Sequence, residues 1–120
     1  MDPRIQEVLD SINHDLSRSR SLEEMADSVD LSASHFAHLF KLATSQSPGR
    51  YVRTVRIEKA RERLETTRQK VKEICRTVGI GDGSHFVRDF GKLYGLSPSE
   101  YRKRHFAKGR GPGKRDSVSQ

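Results

Sequence analysis

The sequence has a single cysteine, no tryptophan and only 7% aromatic residues. One thiol can form no internal disulfide and no cysteine-based zinc site. Five histidines stand without a neighbouring cysteine or paired carboxylates, so neither a metal centre nor a cofactor is expected. No apolar run approaches the ~20 residues that span a bilayer as a helix. Met1-Asp2-Pro3-Arg4 leads straight into alternating apolar and charged residues, unlike a signal peptide. No membrane association is expected, and a reducing cytoplasm is the default compartment.

What the chain has instead is positive charge. Against 16 Asp and Glu it carries 23 Lys and Arg, for a formal net charge of +7 and a sequence pI near 9.9. That balance suits a polyanionic partner, nucleic acid ahead of an anionic membrane. At 120 residues the chain makes one domain, or two very small ones sharing a helix, with a modest core.

The periodicity is helical throughout. A first helix is expected from about Pro3 to Leu16, with Ile5, Val8, Leu9, Ile12 and Leu16 on one stripe. After the polar break Ser17-Arg18-Ser19-Arg20, Ser21 to Glu24 reads as a capping box in which Glu24 reaches back. The helix it opens buries Leu22, Met25, Ala26 and Val29, and Asp30 takes the turn. Ser32 caps a helix whose core face is Phe36, Leu39, Phe40 and Ala43. Ser47-Pro48 starts a long helix to about Thr66, with Tyr51, Val52, Val55, Ala60 and Leu64 among its apolar positions.

Val71, Ile74, Cys75 and Val78 then share one helical face. Gly79 can end that helix at positive φ without steric cost. Phe86, Phe90 and Leu93 form the next apolar set. Ser97 to Glu100 reads as a last capping box, opening a helix that carries Tyr101 and Phe106. From residue 108 to 120 a disordered basic tail is expected.

An internal repeat ties these elements together. Leu22 to Leu31 matches Val71 to Ile80 at an offset of 49, and from Ser34 to Arg53 the offset is 50. Ser34/Ser84, His35/His85, Phe36/Phe86, Phe40/Phe90, Ser47/Ser97, Pro48/Pro98 and Tyr51/Tyr101 are identical pairs. The fold class that follows is all-α, about seven helices, with two helix-turn-helix units (21–45 and 70–95) bridged by a linker helix (48–66) and closed by a last helix (98–106). A linker of roughly 19 residues at ~1.5 Å each is a rod of ~28 Å. With its turns, it could bring the units to adjacent major-groove segments, ~34 Å apart on B-DNA.

The spacing V-x-E-I-(small)-x-x-x-G, S-x-F-x-R-x-F and G-x-S-P-x-E-Y-R resembles the AraC/XylS family of bacterial transcription regulators. It is carried by Val71, Glu73, Ile74, Cys75, Gly79, Ser84, Phe86, Arg88, Phe90, Gly95, Ser97, Pro98, Glu100, Tyr101 and Arg102, and the likeness extends over about Ile5 to Phe106. The resemblance implies an AraC-type DNA-binding domain over 3–107: two helix-turn-helix units and a linker helix that bind double-stranded DNA, with RNA polymerase as a further partner. It also implies a structural role for Arg56. Departures are His38 where the family often has arginine, Cys75 for alanine, Ile80 for an aromatic and Gly91 for lysine. Most members carry a separate sensing or dimerising domain, for which 120 residues leave no room. A stand-alone member, expected to act as a monomer on DNA, and a fragment of a longer regulator are both open.

Residues opposite the apolar faces are the groove-facing candidates. Ser34, Ala37 and His38 in the first unit, and Gly83, Ser84, Val87 and Arg88 in the second, are expected at base edges. Arg88 can donate two parallel bonds to guanine, and Ala37 or Val87 can touch a thymine methyl. Phosphate contacts are expected from Lys41, Arg50, Lys92, Arg102, Lys103 and the helix N-termini. Arg53, Arg61 and Arg63 are weaker candidates, and Lys108, Arg110, Lys114 and Arg115 would add nonspecific affinity. Ser34 and Ser84 have a competing use as capping residues. Rival readings are a nonspecific architectural DNA binder, a protein-interaction module, and an alkyl-accepting enzyme with Cys75 as acceptor. A core-facing thiol makes the last unfavourable, and no enzyme is expected.

Overall fold

A computed structural model describes residues 1–109. The described residues form seven helices and no strand: α1 (Pro3–His14), α2 (Leu22–Asp27), α3 (Ala33–Thr44), α4 (Pro48–Thr66), α5 (Val71–Val78), α6 (Gly83–Tyr94) and α7 (Pro98–Ala107). None of these helices is long and apolar enough to cross a membrane. Contacts divide the chain into two compact units at Val55 and Arg56, inside α4.

In the first unit, Asp2 caps α1 by accepting the Arg4 N–H at 2.8 Å, and Pro3 supplies a first-turn φ. The helix ends at His14, two residues short of Leu16. The reason lies in the polar break, where the Arg20 guanidinium donates to the carbonyls of Ser11 and Asp15, each at 2.9 Å. Leu16 still packs on the core from outside the helix. Ile5, Val8, Leu9 and Ile12 meet Met25, Ala26, Val29, Phe36 and Phe40, and Tyr51 and Val52 of α4 pack against them.

The second unit repeats this arrangement with different elements. Ile57, Ala60 and Leu64 of α4 meet Ile74, Cys75, Val78, Phe86 and Phe90, with Tyr94 and Tyr101 alongside. Ile57 is therefore a core residue that reading α4 as one stripe overlooks. The first part of α4 serves one core and its later part the other, so no single stripe runs along it. Leu93, expected in the apolar set, is 51% exposed. Tyr94 takes the inward place, its ring 4.7 Å from Phe90 and under the Arg61 guanidinium at 5.5 Å.

The identical aromatic pairs and the Ser47/Ser97 and Pro48/Pro98 pairs occupy matching settings. Phe36–Phe40 and Phe86–Phe90 both have centroids 5.6 Å apart. Phe40–Tyr51 and Phe90–Tyr101 cross edge-on at 5.4 and 5.5 Å, both at 78°. Such edge-to-face pairs add about 0.5–1.5 kcal/mol beyond burial. Ser47 and Ser97 each cap the next helix, and Pro48 and Pro98 are each buried.

The turns match as well. Asp30 (φ 58°) and Gly79 (φ 89°) both adopt the left-handed conformation. Beyond them, Leu31 donates to Ala26 at 3.0 Å and Ile80 to Cys75 at 2.8 Å, satisfying carbonyls that the helix ends leave open. Capping boxes are only half formed at α2 and α7. Ser21 and Ser97 cap as expected, but Glu24 turns to Arg18 and Glu100 to Arg104. An arginine within reach is a stronger partner for a carboxylate than a backbone N–H that water can serve. The reach-back occurs at α5, where Glu73 accepts the Lys70 N–H at 3.1 Å.

Candidate nucleic-acid interface

Burying Phe36 and Phe40 fixes which side of α3 faces water. Ser34, His38 and Lys41 are exposed there, with Ala37 half-buried. Burying Phe86 and Phe90 does the same for α6, exposing Gly83, Ser84, Arg88 and Lys92, with Val87 45% exposed. No side chain among Ser34, His38, Lys41, Ser84, Arg88 and Lys92 forms a hydrogen bond or ion pair with another described residue. The capping use of Ser34 and Ser84 is not realised. Ser32 caps α3 by accepting the His35 N–H at 3.2 Å, and Asp82 caps α6.

Asp82 alters the electrostatics of its helix. Its carboxylate accepts the N–H groups of Ser84 (2.9 Å) and His85 (3.3 Å) and lies 3.2 Å from the His85 Nδ1. The His85 N–H, then that of Ser84, hold this carboxyl below its ordinary range. The α6 N-terminus is thus already served by its own anion, and a phosphate there would have to displace it.

The basic candidates separate into two groups. Lys41, Arg50, Arg53, Lys92 and Lys103 are exposed and have no ion pair among the described residues. Arg102 is different and corrects the expectation of a phosphate contact. Its Nε and Nη2 donate to the carbonyls of Leu64 and Thr67, both at 3.1 Å, and its Nη1 donates to Gln69. All three guanidinium nitrogens are spent closing the C-terminal end of α4, where open carbonyls favour a cation. Spacing could not reveal this, because backbone acceptors carry no sequence signature.

Arg61 and Arg63 are corrected in the same direction. Arg61 is half-buried between Glu65 and Tyr94, and Arg63 donates to Gln69 at 3.0 Å. Bonding to Tyr101 raises the Arg61 guanidinium further above its ordinary value. Arg56 is half-buried and engaged within the protein. Lys108, expected to begin a disordered tail, caps α7 through its own N–H. Arg110, Lys114, Arg115 and the rest of that tail lie outside the described residues.

Cys75 is 7% exposed, and burial pushes its thiol up, the opposite of what an alkyl-accepting nucleophile requires.

Two helix-turn-helix units, each with a polar outward face on its second helix, make this a double helix-turn-helix fold. The family model described as "Helix-turn-helix domain" matches residues 25–104. The arabinose operon regulatory protein of Escherichia coli K12 is 36% identical over 103 residues, covering 85% of this chain and 35% of that protein. The lactose operon transcription activator of Staphylococcus xylosus is 35% identical over 103 residues, covering 86% and 37%. The chain spans about a third of the length of these relatives. Among solved structures, the DNA-binding domain of the global transcriptional factor AdpA, in complex with a target DNA, matches with a TM-score of 0.83 at 25% identity, covering 88% of this chain and 95% of that one. An AraC-type transcriptional regulator from Chromobacterium violaceum shares the fold, with a TM-score of 0.78 at 23% identity over 86% of this chain and 92% of that one. The chain belongs to the AraC/XylS family of transcription regulators.

Proposed function

We propose that the chain binds double-stranded DNA sequence-specifically, with α3 and α6 as recognition helices in adjacent major-groove segments of an asymmetric site of roughly two helical turns. One observation carries this reading. At repeat-equivalent positions both helices present exposed side chains that form no hydrogen bond or ion pair among the described residues, Ser34 and His38 on one and Ser84 and Arg88 on the other. A polar stripe left unsatisfied by its own protein is what a donor-rich surface needs to meet base edges and phosphates. The DNA-bound AdpA domain supports the same reading through its similarity in fold. His38 in place of a fixed cation, and no glutamine or asparagine at the reading positions, suit a modestly specific reader that leans on backbone contacts and DNA shape. As a stand-alone member the protein would act as a monomer on its site, and the family resemblance implies contact with RNA polymerase.

Selection from random-sequence duplexes under competitor DNA tests this. An enriched motif is expected at ~150 mM salt, where specific complexes persist. Binding without any enriched motif would favour an architectural binder, and absence of binding would leave only a protein-interaction module. On the selected site, Arg88→Ala is expected to cost about 1–3 kcal/mol and to relax preference at one or two base pairs. Titration against a panel of single-base variants reads this out. Uniform weakening across the panel would instead assign Arg88 to a phosphate.

A further inference from the structure

The two units differ sharply in charge. Residues 1–55 hold six Lys and Arg against eight Asp and Glu, while residues 56–120 hold seventeen against eight. Part of the difference lies on the first helix of each helix-turn-helix, where α2 carries three carboxylates and no cation while α5 carries two cations and one carboxylate. At the repeat offset, Lys72 and Arg76 of α5 correspond to Glu23 and Asp27 of α2. All four side chains are exposed, and none has an ion-pair or hydrogen-bond partner among the described residues. The left-handed turn extends the contrast, with Asp30 in the first unit where the second has Gly79.

Lys72 and Arg76 are four residues apart, so they stand on one face of α5. That face opens onto the start of α6. Both side chains line a groove shared with Gly83 and Val87, two of the residues assigned to base edges. Cations in that position flank the reading helix, where a phosphate strand bordering the major groove would run. In the first unit the equivalent positions are carboxylates. Placed within the ~8 Å Debye length of phosphates, they oppose approach instead of promoting it.

We infer that Lys72 and Arg76 are phosphate-contacting residues, so that the first helix of the second helix-turn-helix attracts DNA phosphates where its counterpart in the first unit repels them. The inference rests on the DNA-binding reading above.

The test uses the full chain and fluorescence anisotropy with a random-sequence duplex and the selected duplex, each across a salt series. Lys72→Gln with Arg76→Gln is expected to reduce the slope of log affinity against log salt by about 2, since each phosphate contact contributes ~0.9. Glu23→Lys with Asp27→Arg is expected to steepen it by a similar amount. Glu7→Lys with Asp10→Arg, on α1, makes the same change in net charge and is expected to do much less. Far-UV circular dichroism confirms that each variant folds. An unchanged slope in the first variant, or equal effects of the two charge reversals, overturns the inference. Wild-type protein that binds no duplex at all overturns the DNA-binding reading itself, so the two failures are distinguishable.

Discussion

Phe90→Ala is expected to destabilise the second unit by about 3–5 kcal/mol, the usual cost of truncating a buried phenylalanine. The ring is fully buried and meets Phe86, Tyr94 and Tyr101 at centroid distances of 5.6, 4.7 and 5.5 Å. Rings from α6 and α7 crowd it within a core that also holds Ile57, Ala60 and Leu64 of α4, so a cavity there cannot be closed by moving one neighbour. Small domains have only about 5–15 kcal/mol in total, so this single change removes a large share. Urea unfolding followed by circular dichroism checks it, and Phe90→Leu should recover most of the loss. A cost of Phe90→Ala near 1 kcal/mol would mean that the aromatic cluster is far looser than its geometry.

Arg102→Met should cost about 2–3 kcal/mol, less than three separate charged hydrogen bonds at ~1.5–3 kcal/mol each, because Arg102 is only partly buried and water can serve the freed carbonyls. Methionine preserves the stem and removes only the fork that serves Leu64, Thr67 and Gln69. Arg102→Lys should not restore the loss, since one ammonium cannot span three carbonyls held in a fixed array. The adjacent Lys103 is exposed and supplies the contrast. Lys103→Met should leave the unfolding free energy within about 0.5 kcal/mol of wild type and weaken DNA binding. If Arg102→Met leaves stability untouched and weakens DNA binding instead, the arginine belongs to the interface after all.

These two residues mark where sequence suffices and where it fails. Phe90 was legible because two independent signals agree, helical spacing from Phe86 and identity with Phe40 across the repeat. The outward face of each second helix follows from the same spacing, since whatever lies opposite two buried phenylalanines must meet water. Arg102 was not legible, because its partners are main-chain oxygens, which every residue has. Leu93 and Ile57 failed for another reason. Each sits where apolar character is compatible with more than one neighbour, and Tyr94 and the divided duty of α4 decided the matter in three dimensions. Asp30 shows the limit from the other side. Its left-handed φ of 58° was readable only because its counterpart is a glycine.

Because the boundary between the units falls within α4, they behave as joint owners of a party wall. Residues 48–55 complete one hydrophobic interior and residues 57–64 begin the next, with no loop between them to cut. Any attempt to excise one half for separate study must sever this helix or duplicate it. A fragment ending at residue 55 would finish on a frayed stub, and one starting at residue 56 would lack the preceding turns that nucleate its own first helix.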